Sequence, residues 1–292
     1  MDHWDEVRTA YQVARMGTVS GAAEILGVHH ATVIRHVDAL EARLGVKLFQ
    51  RHARGYTATE AGQDLLQVAG ATDDQFSQLL GRIRGQGQGM TGELTVTSIA
   101  VLSPLVTPVL AQFQLDHPGL IVRYLTAERL FRLEYGEAHV AIRAGTAPNE
   151  PDNVVQRLGE IRPALCASDA YIARHGRPES VEDLKNHWFI GADETDNRAS
   201  FNRWLADKVP RDRVIYRTTD NFIARDAVKL GVGLGFVPRW ELAGQDDLHE
   251  VLEPDPEWGA PIWLVTHVDL HRTAKVQAFL TYLKEQAAGW RT

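Results

Sequence analysis

His29-His30-Ala31-Thr32-Val33-Ile34-Arg35-His36-Val37-Asp38-Ala39-Leu40 decides how this chain is read. At helical pitch Val33, Val37, Leu40 and Leu44 fall on one face, which must pack inward. Thr32, Ile34, Arg35 and His36 fall on the other side, and His29 and His30 lead it at the N-terminal end. Just upstream, Ser20 to Leu26 reads as a short helix with Ser20 as N-cap, and Gly27-Val28 as a turn. Two short helices on a tight turn, the second with donors on its open face, make a helix-turn-helix. In that arrangement the second helix enters a major groove of double-stranded DNA.

Working outward, Trp4 to Met16 has helical spacing and ends at Gly17, and the recognition helix closes at Gly45. Val46 to Phe49 reads as a strand, Gln50 to Tyr56 as a turn and Thr57-Ala58 as a second strand. That hairpin is a wing, with Arg51 and Arg54 at its tip in reach of phosphates or a minor groove. Thr59 is a good N-cap for a long helix over Glu60 to Ile83. Its apolar seam, Leu65, Val68, Phe76, Leu79, Leu80 and Ile83, is too long to bury against so small a domain. A second copy of the same helix hides it most simply, and a homodimer presents two recognition helices to two half-sites. Gly85-Gln86-Gly87-Gln88-Gly89 then reads as a hinge; it lacks the following Lys-Ser/Thr of a phosphate loop and precedes a strand.

Net charge is -7 over 292 residues, which taken alone argues against DNA. Its distribution argues the other way. Between His29 and Thr57 lie Arg35, Arg43, Lys47, Arg51 and Arg54 against only Asp38 and Glu41. A local basic face is what phosphate contact needs, and an acidic remainder suits a large domain that does not touch DNA. No run of eighteen apolar residues is present, so no membrane span is expected, and Asp2, Asp5 and Glu6 around Trp4 oppose a signal peptide. The single cysteine, Cys166, excludes an internal disulfide and fits a reducing cytoplasm.

From Glu93 the texture alternates. Strands are read at Leu94–Thr97, Leu120–Leu125, Val140–Ile142, Pro163–Ala167, Phe189–Ile190, Val214–Thr218, Gly235–Val237 and Ile262–Thr266. Helices are read at Pro104–Leu115, Arg129–Tyr135, Asn197–Ala206, Ile223–Leu230 and Arg272–Gln286. Such alternation implies a parallel-type α/β domain, here two lobes with a small-molecule cleft between them. Asn221 is placed to cap the helix from Ile223 and to present backbone donors to an anion. Three units follow: a winged helix-turn-helix over 1–59, a linker helix and hinge over 60–90, and an effector domain over 91–292. Within the last, lobe 1 takes 91–161 and 268–292, and lobe 2 takes 162–267.

This order of parts resembles the LysR-type transcriptional regulators from end to end. The likeness is carried by Gly17-Thr18-Val19-Ser20-Gly21-Ala22-Ala23 through Leu44-Gly45-Val46-Lys47-Leu48-Phe49-Gln50-Arg51, and by Thr57-Ala58-Thr59-Glu60-Ala61-Gly62. In the C-terminal part Arg129 to Gly136, Val140-Ala141-Ile142-Arg143-Ala144-Gly145 and Trp263 to His267 are similar to one subgroup of that family. The resemblance implies a homotetramer built as a pair of dimers and a periplasmic-binding-protein-like effector domain that senses a small molecule. It also implies pocket walls at Ser98, Ile99 and Ala100, at Arg143, Gly145 and Thr146, and at Thr219, Asn221 and Phe222. Effector binding would alter DNA bending and contact with RNA polymerase.

The chain departs from the family's pattern in places. Histidines stand at 29 and 30 where the family usually carries Ser and Gln; losing a Ser N-cap costs about 1 kcal/mol, yet imidazole can donate to a guanine or a phosphate. Ile34 stands for a small polar residue and can pack on a thymine methyl, and His139 stands where the family has Asp. Arg35 is read as a DNA contact, the alternative being a salt bridge to Asp38. His29 and His30 as metal ligands are less economical, because adjacent residues rarely share one ion and the sequence places no further ligands. Arg143 either binds a ligand carboxylate or closes a structural ion pair, and Cys166 is core or a redox sensor. Gly231 to Pro238 follows a helix and precedes a strand, the wrong order for a dinucleotide fingerprint. No nucleophile elbow, Walker loop or His-Glu-x-x-His is present. A regulator with neither metal nor cofactor is therefore expected; the alternatives are a constitutive DNA binder and an enzyme with an appended helix-turn-helix.

Overall fold

The structure, a computed structural model, describes residues 3–52, 55–83, 90–126, 130–193 and 199–290, with backbone alone for 71, 74, 75, 77–83 and 135. The N-terminal unit is α1 (Trp4–Met16), α2 (Val19–Leu26), α3 (His30–Leu44) and a hairpin of β1 (Phe49–His52) and β2 (Gly55–Ala58). Ala10, Val13, Ala22, Ala23, Val33, Val37, Leu40, Leu48 and Phe49 form its core, so the apolar face of α3 is indeed the inward one. Two details differ from the sequence reading. Thr18, not Ser20, caps α2, its hydroxyl accepting from the Gly21 N–H at 3.1 Å. The hairpin sits further along, Phe49 pairing with Ala58 and His52 with Gly55, because Leu48 and Phe49 are tied by their N–H groups to Glu41.

The linker α4 (Glu60–Ile83) has the expected bounds. Thr59 caps it, accepting from Gly62 N–H at 3.2 Å. Gly62 is required there: a Cβ would lie 2.1 Å from the Leu48 carbonyl oxygen, so only a bare backbone lets α4 leave the wing at this angle. Val68 and Phe76 on its seam are exposed, Phe76 meeting the Trp4 ring edge-on at 5.6 Å. Of the seam residues Leu79, Leu80 and Ile83 only the backbone is described, and the glycine-rich hinge at 85–89 and Arg54 lie outside the described residues.

Beyond the linker come β3 (Gly92–Ser98), α5 (Ser103–Asp116), β4 (Leu120–Thr126), β5 (Val140–Ala144), β6 (Asn153–Ile161), β7 (Pro163–Ser168) and α6 (Asp169–His175). They are followed by β8 (Phe189–Ala192), α7 (Ser200–Lys208), β9 (Val214–Thr218), α8 (Asn221–Lys229), β10 (Gly235–Pro238) and β11 (Leu248–Glu250). The chain closes with β12 (Ala260–His267), α9 (Val268–His271) and α10 (Ala274–Ala287). Lobe 1 is a five-stranded sheet in the order β4-β3-β5-β12-β6. Side chains from the sheet, α5 and α10, among them Leu94, Phe113, Ile142, Leu264 and Phe279, form one core. Lobe 2 holds two small sheets, β10-β7-β11 and β8-β9, around Tyr171, Phe189, Trp258, Val228 and Cys166.

The lobe boundary is corrected. Residues 260–267 were assigned to lobe 2, but β12 lies inside the lobe 1 sheet, antiparallel to both β5 and β6. The sheet is therefore mixed and not purely parallel. The crossing back to lobe 1 precedes β12, because its apolar residues Ile262, Leu264 and Val265 find partners on β5 and β6. The short helix expected over Arg129–Tyr135 is a single 3-10 turn at Leu133–Tyr135. Strand β6 and helix α6 were not anticipated.

Candidate nucleic-acid interface and effector cleft

The face of α3 that points away from the core is polar and open. His29 is the N-cap of α3, extended in backbone and with no side-chain capping bond, so losing the usual hydroxyl cap leaves the imidazole turned outward. His30, Ile34 and Arg35 are exposed and Thr32 is half-buried. Among the described residues Arg35 makes no ion pair. The alternative reading, a bond to Asp38, fails because Asp38 is already taken by Arg51 at 2.5 Å.

Two of the expected DNA contacts have partners within the domain. His36 turns back to α1, where its Nδ1 lies 2.9 Å from the Thr9 hydroxyl. That hydroxyl donates its one proton to the Asp5 carbonyl at 2.7 Å, so the imidazole is the donor and its proton is on Nδ1. Arg51 is likewise committed within the domain: it bonds Asp38, bonds Glu41 at 3.1 Å and lies over the Tyr56 ring at 5.3 Å. Strand β1 begins later than expected, which moves Arg51 from the hairpin tip onto its flank facing α3.

Glu41 is the centre of this arrangement. Its buried carboxylate accepts from the N–H groups of Leu48 and Phe49 at 2.9 and 3.2 Å, from Lys47 at 2.7 Å and from Arg51. Burial pushes its carboxyl up, but Lys47 and the two backbone donors outweigh that and leave it below its ordinary value. Glu41 thereby ties the helix to the wing alongside the Arg51–Asp38 bond. The sequence shows the residue but not that a carboxylate on the inward face is fully supplied with donors.

Between the lobes lies a cleft of about 990 Å³. Of the residues expected to line it, Ile99, Arg143, Gly145, Thr146, Asn221 and Phe222 do so; Ser98, Ala100 and Thr219 do not. The Ser98 side chain is buried, donating to the Ile99 carbonyl at 2.8 Å and meeting the Tyr124 hydroxyl at 2.6 Å. Ala100 opens a 3-10 turn whose neighbours Ile99 and Val101 face the cleft, so it turns to solvent, and Thr219 is exposed ahead of the α8 cap. That cap is Asp220, accepting from Phe222 N–H at 2.7 Å, and not Asn221, which is the first residue of α8.

Walls that the sequence did not reveal come from α7, β10 and the segment before β12: the Phe236 ring lies 5.0 Å from that of Phe201 and 4.9 Å from that of Trp258. Two arginines of the cleft are paired, while Arg203 and Glu257, also on its wall, have no ion pair among the described residues. Arg225 bonds Glu241 at 3.1 Å and Asp226, and lies over Phe222 at 5.0 Å. Arg143 donates to the Phe131 carbonyl at 3.2 Å and reaches Glu150 only at 3.4 Å. Glu150 is held below its ordinary value by its own backbone N–H first, against burial, with help from Asn153 and Arg143. Of the two readings of Arg143, the structure has the ion pair, and that pair is long at 3.4 Å.

His139 pairs with Thr95 on β3. Its Nδ1 accepts from the Thr95 N–H and its own N–H donates to the Thr95 carbonyl, both at 2.9 Å, closing the ladder just before β5. An aspartate would serve there as acceptor in the same way. Cys166 is fully buried in β7, and burial, reinforced by Glu250, pushes its thiol up to about 12. Among the described residues no group of three or more His, Cys, Asp or Glu is placed to hold a metal ion, and no helix is long and apolar enough to cross a membrane.

Comparison with known proteins agrees across the chain. The family model for the LysR substrate binding domain matches residues 87–288, and that for bacterial regulatory helix-turn-helix proteins of the lysR family matches residues 4–63. The probable HTH-type transcriptional regulator LtrA of Klebsiella pneumoniae is 27% identical over 286 residues, covering 94% of this chain and 91% of that one. Among solved structures, ArgP from Mycobacterium tuberculosis aligns over 97% of both chains with a TM-score of 0.72 at 19% identity. CrgA from Neisseria meningitidis, a LysR-type transcriptional regulator, aligns over 98% of this chain and 99% of that one with a TM-score of 0.60 at 23% identity.

Proposed function

The chain belongs to the LysR family of bacterial transcriptional regulators, DNA-binding proteins with an effector domain, and on that premise we propose how its own residues divide the work. The recognition surface is His29, His30, Thr32, Ile34 and Arg35 at the N-terminal half of α3, with Arg54 on the wing for phosphate or minor groove. His36 and Arg51 hold the surface in shape and do not touch DNA. The observation that carries this is Arg35: exposed, charged, and without an ion pair among the described residues, while its neighbours Arg51 and Arg43 are both paired. The functional units are 1–59, 60–90 and 91–292, with residues 260–267 in lobe 1.

In the cleft a small carboxylate with an apolar body binds through Arg143, displacing Glu150, and lies against Ile99, Phe222 and the rings at Phe201 and Phe236. It shifts a cytoplasmic homotetramer between arrangements that bend DNA differently and meet RNA polymerase differently; the chain is not an enzyme. A mobility-shift assay on the DNA beside its own gene tests the first part: Arg35→Ala is expected to abolish the site-specific shift at a salt concentration where the parent protein retains it. A parent protein that gives no salt-resistant specific shift overturns it.

The pairing of Arg143 and Arg225 within the protein favours one second reading, a constitutive DNA binder whose own side chains satisfy its cleft. Thermal-shift measurements with benzoate and aliphatic carboxylates separate the two. Ligand at a hundredfold excess over Kd adds about 2.7 kcal/mol to the effector domain. No shift with any carboxylate leaves the constitutive reading standing.

A further inference from the structure

We propose that the turn Leu133–Gly136 couples the cleft to the linker helix, and that Arg143 sets its state; this rests on the reading of the cleft as an effector site. Two bonds tie the surroundings of the turn to the cleft, one on the segment just before it and one on the ring that packs against Leu133. Arg143 donates to the Phe131 carbonyl at 3.2 Å, and the Trp263 indole N–H donates to the carbonyl of Gly145, a cleft residue, at 2.8 Å. Leu133 is fully buried with Ala138, Ala141 and Val265, and the Trp263 ring packs on the same cluster. Within the turn, Gly136 N–H donates to Leu133 O at 3.0 Å and Arg132 N–H to Glu137 at 2.9 Å. The segment 131–137 is therefore tied to the cleft directly by Arg143 and, through packing on Leu133, by the Trp263 ring that Gly145 holds.

Its other side is the seat of α4. Gly136 stands at φ 66 with no side chain, and a Cβ there would lie 3.9 Å from the Gln67 Cα, so α4 passes directly over it. The Gln67 amide donates to Asp269 Oδ2 at 3.2 Å, and its nitrogen lies 3.2 Å from the His267 ring at Nδ1. His267 ends β12, the strand that also carries Trp263 and Val265. Farther along, α4 meets the winged domain where Phe76 touches Trp4. The contacts thus run without a gap from Arg143 through the turn to α4 and on to the DNA-binding unit.

The weak point is the one a ligand would strike. Arg143 presents a planar fork, and a carboxylate that grips it bidentately turns it away from the Phe131 carbonyl. The turn then loses a charge-assisted hydrogen bond and α4 loses the stiffness of one wall. A ligand is not needed to imitate this; removing the guanidinium does so.

Amide exchange on the full-length protein tests the idea. Arg143→Gln is expected to speed exchange over 131–137 about tenfold and also to speed it over the first half of α4, residues 60–70. Gln67→Ala is expected to loosen 60–70 while leaving 131–137 unchanged, and in that background Arg143→Gln adds nothing to α4. Arg239→Gln, paired with Glu250 in lobe 2, is expected to alter neither segment. Should circular dichroism show that Arg143→Gln is unfolded, Arg143→Lys, which keeps the stem and charge but not the fork, is measured for the same two segments. Faster exchange at 131–137 with α4 unmoved overturns the coupling, and so does no change in either segment. Failure of the effector reading shows separately, as a thermal-shift screen without a hit, and leaves these exchange results as they are.

Discussion

The exposed half of α3 and the cleft between the lobes both offer arginines to a charged partner, but they prepare them differently. On α3 Arg35 stands in water with no ion pair among the described residues, whereas in the cleft Arg143 and Arg225 already have partners. The physical reason is solvation. A surface charge is stabilised by water until a polyanion and its counterions replace that water, so it needs no built-in partner. A charge in a narrow apolar cleft has little water and must be neutralised by the protein itself. Arg35 is thus open to a partner as it stands, whereas at Arg143 and Arg225 an anion would have to replace a partner already there. That exchange is what makes the second region capable of reporting a ligand.

The largest test of this contrast is to take a paired group in the DNA-binding unit and leave its donors empty. Glu41→Ala removes the acceptor of two buried backbone N–H groups and of Lys47 and Arg51, at a cost of about 3 kcal/mol to the winged unit. Amide exchange in α3 is expected to rise about a hundredfold. Acid gives the same result more gently. The Glu41 carboxyl sits below its ordinary 4.5, so above 4.5 its stabilisation is complete and it is lost as the pH falls through the folded value. Denaturation of the winged unit followed from pH 6 downwards is expected to show that loss, and Glu41→Gln to flatten it.

Next in size is Arg35. Arg35→Ala is expected to weaken operator binding by about 1–3 kcal/mol, tenfold or more, with no loss of thermal stability. A variant that binds normally but melts early would place Arg35 with the structural group and erase the contrast. His36→Ala is the opposite case. Losing its bond to Thr9 costs about 1 kcal/mol of stability, and operator affinity, read by anisotropy at fixed salt, stays within twofold.

How much of this the sequence carries depends on how local the signal is. The helices of the winged unit, the capped α4 and the inward face of α3 follow from spacing and capping residues a few positions apart. Which arginine is free does not, because Asp38 is as close to Arg35 in sequence as an ion pair requires and only the fold gives it to Arg51. In the effector domain β12 is visible as an apolar run, but its place between β5 and β6 is a long-range pairing that no local pattern encodes. Strand β6 was missed because Gln156, Arg157, Gly159 and Glu160 interrupt the apolar residues. The cleft's loop residues were half right for a similar reason: alternate residues of the loop at Ile99–Val101 face opposite ways, and the sequence does not fix the phase.

The smallest expected effect concerns Cys166, and it tests whether lobe 2 offers any reactive group besides its paired charges. Attack on an alkylating reagent or on peroxide requires the thiolate, and a thiol pushed up to about 12 is almost wholly protonated at neutral pH. The side chain is also fully buried in the central strand of its sheet, between β10 and β11, so reagent can reach it only when the lobe opens. Native protein at pH 8 is therefore expected to take up no iodoacetamide over an hour, to react stoichiometrically in denaturant, and to bind its operator unchanged after mild peroxide. Rapid labelling of the native protein together with altered operator binding would make lobe 2 a redox-responsive element, and the contrast between an open Arg35 and cleft arginines that answer by partner exchange would no longer hold.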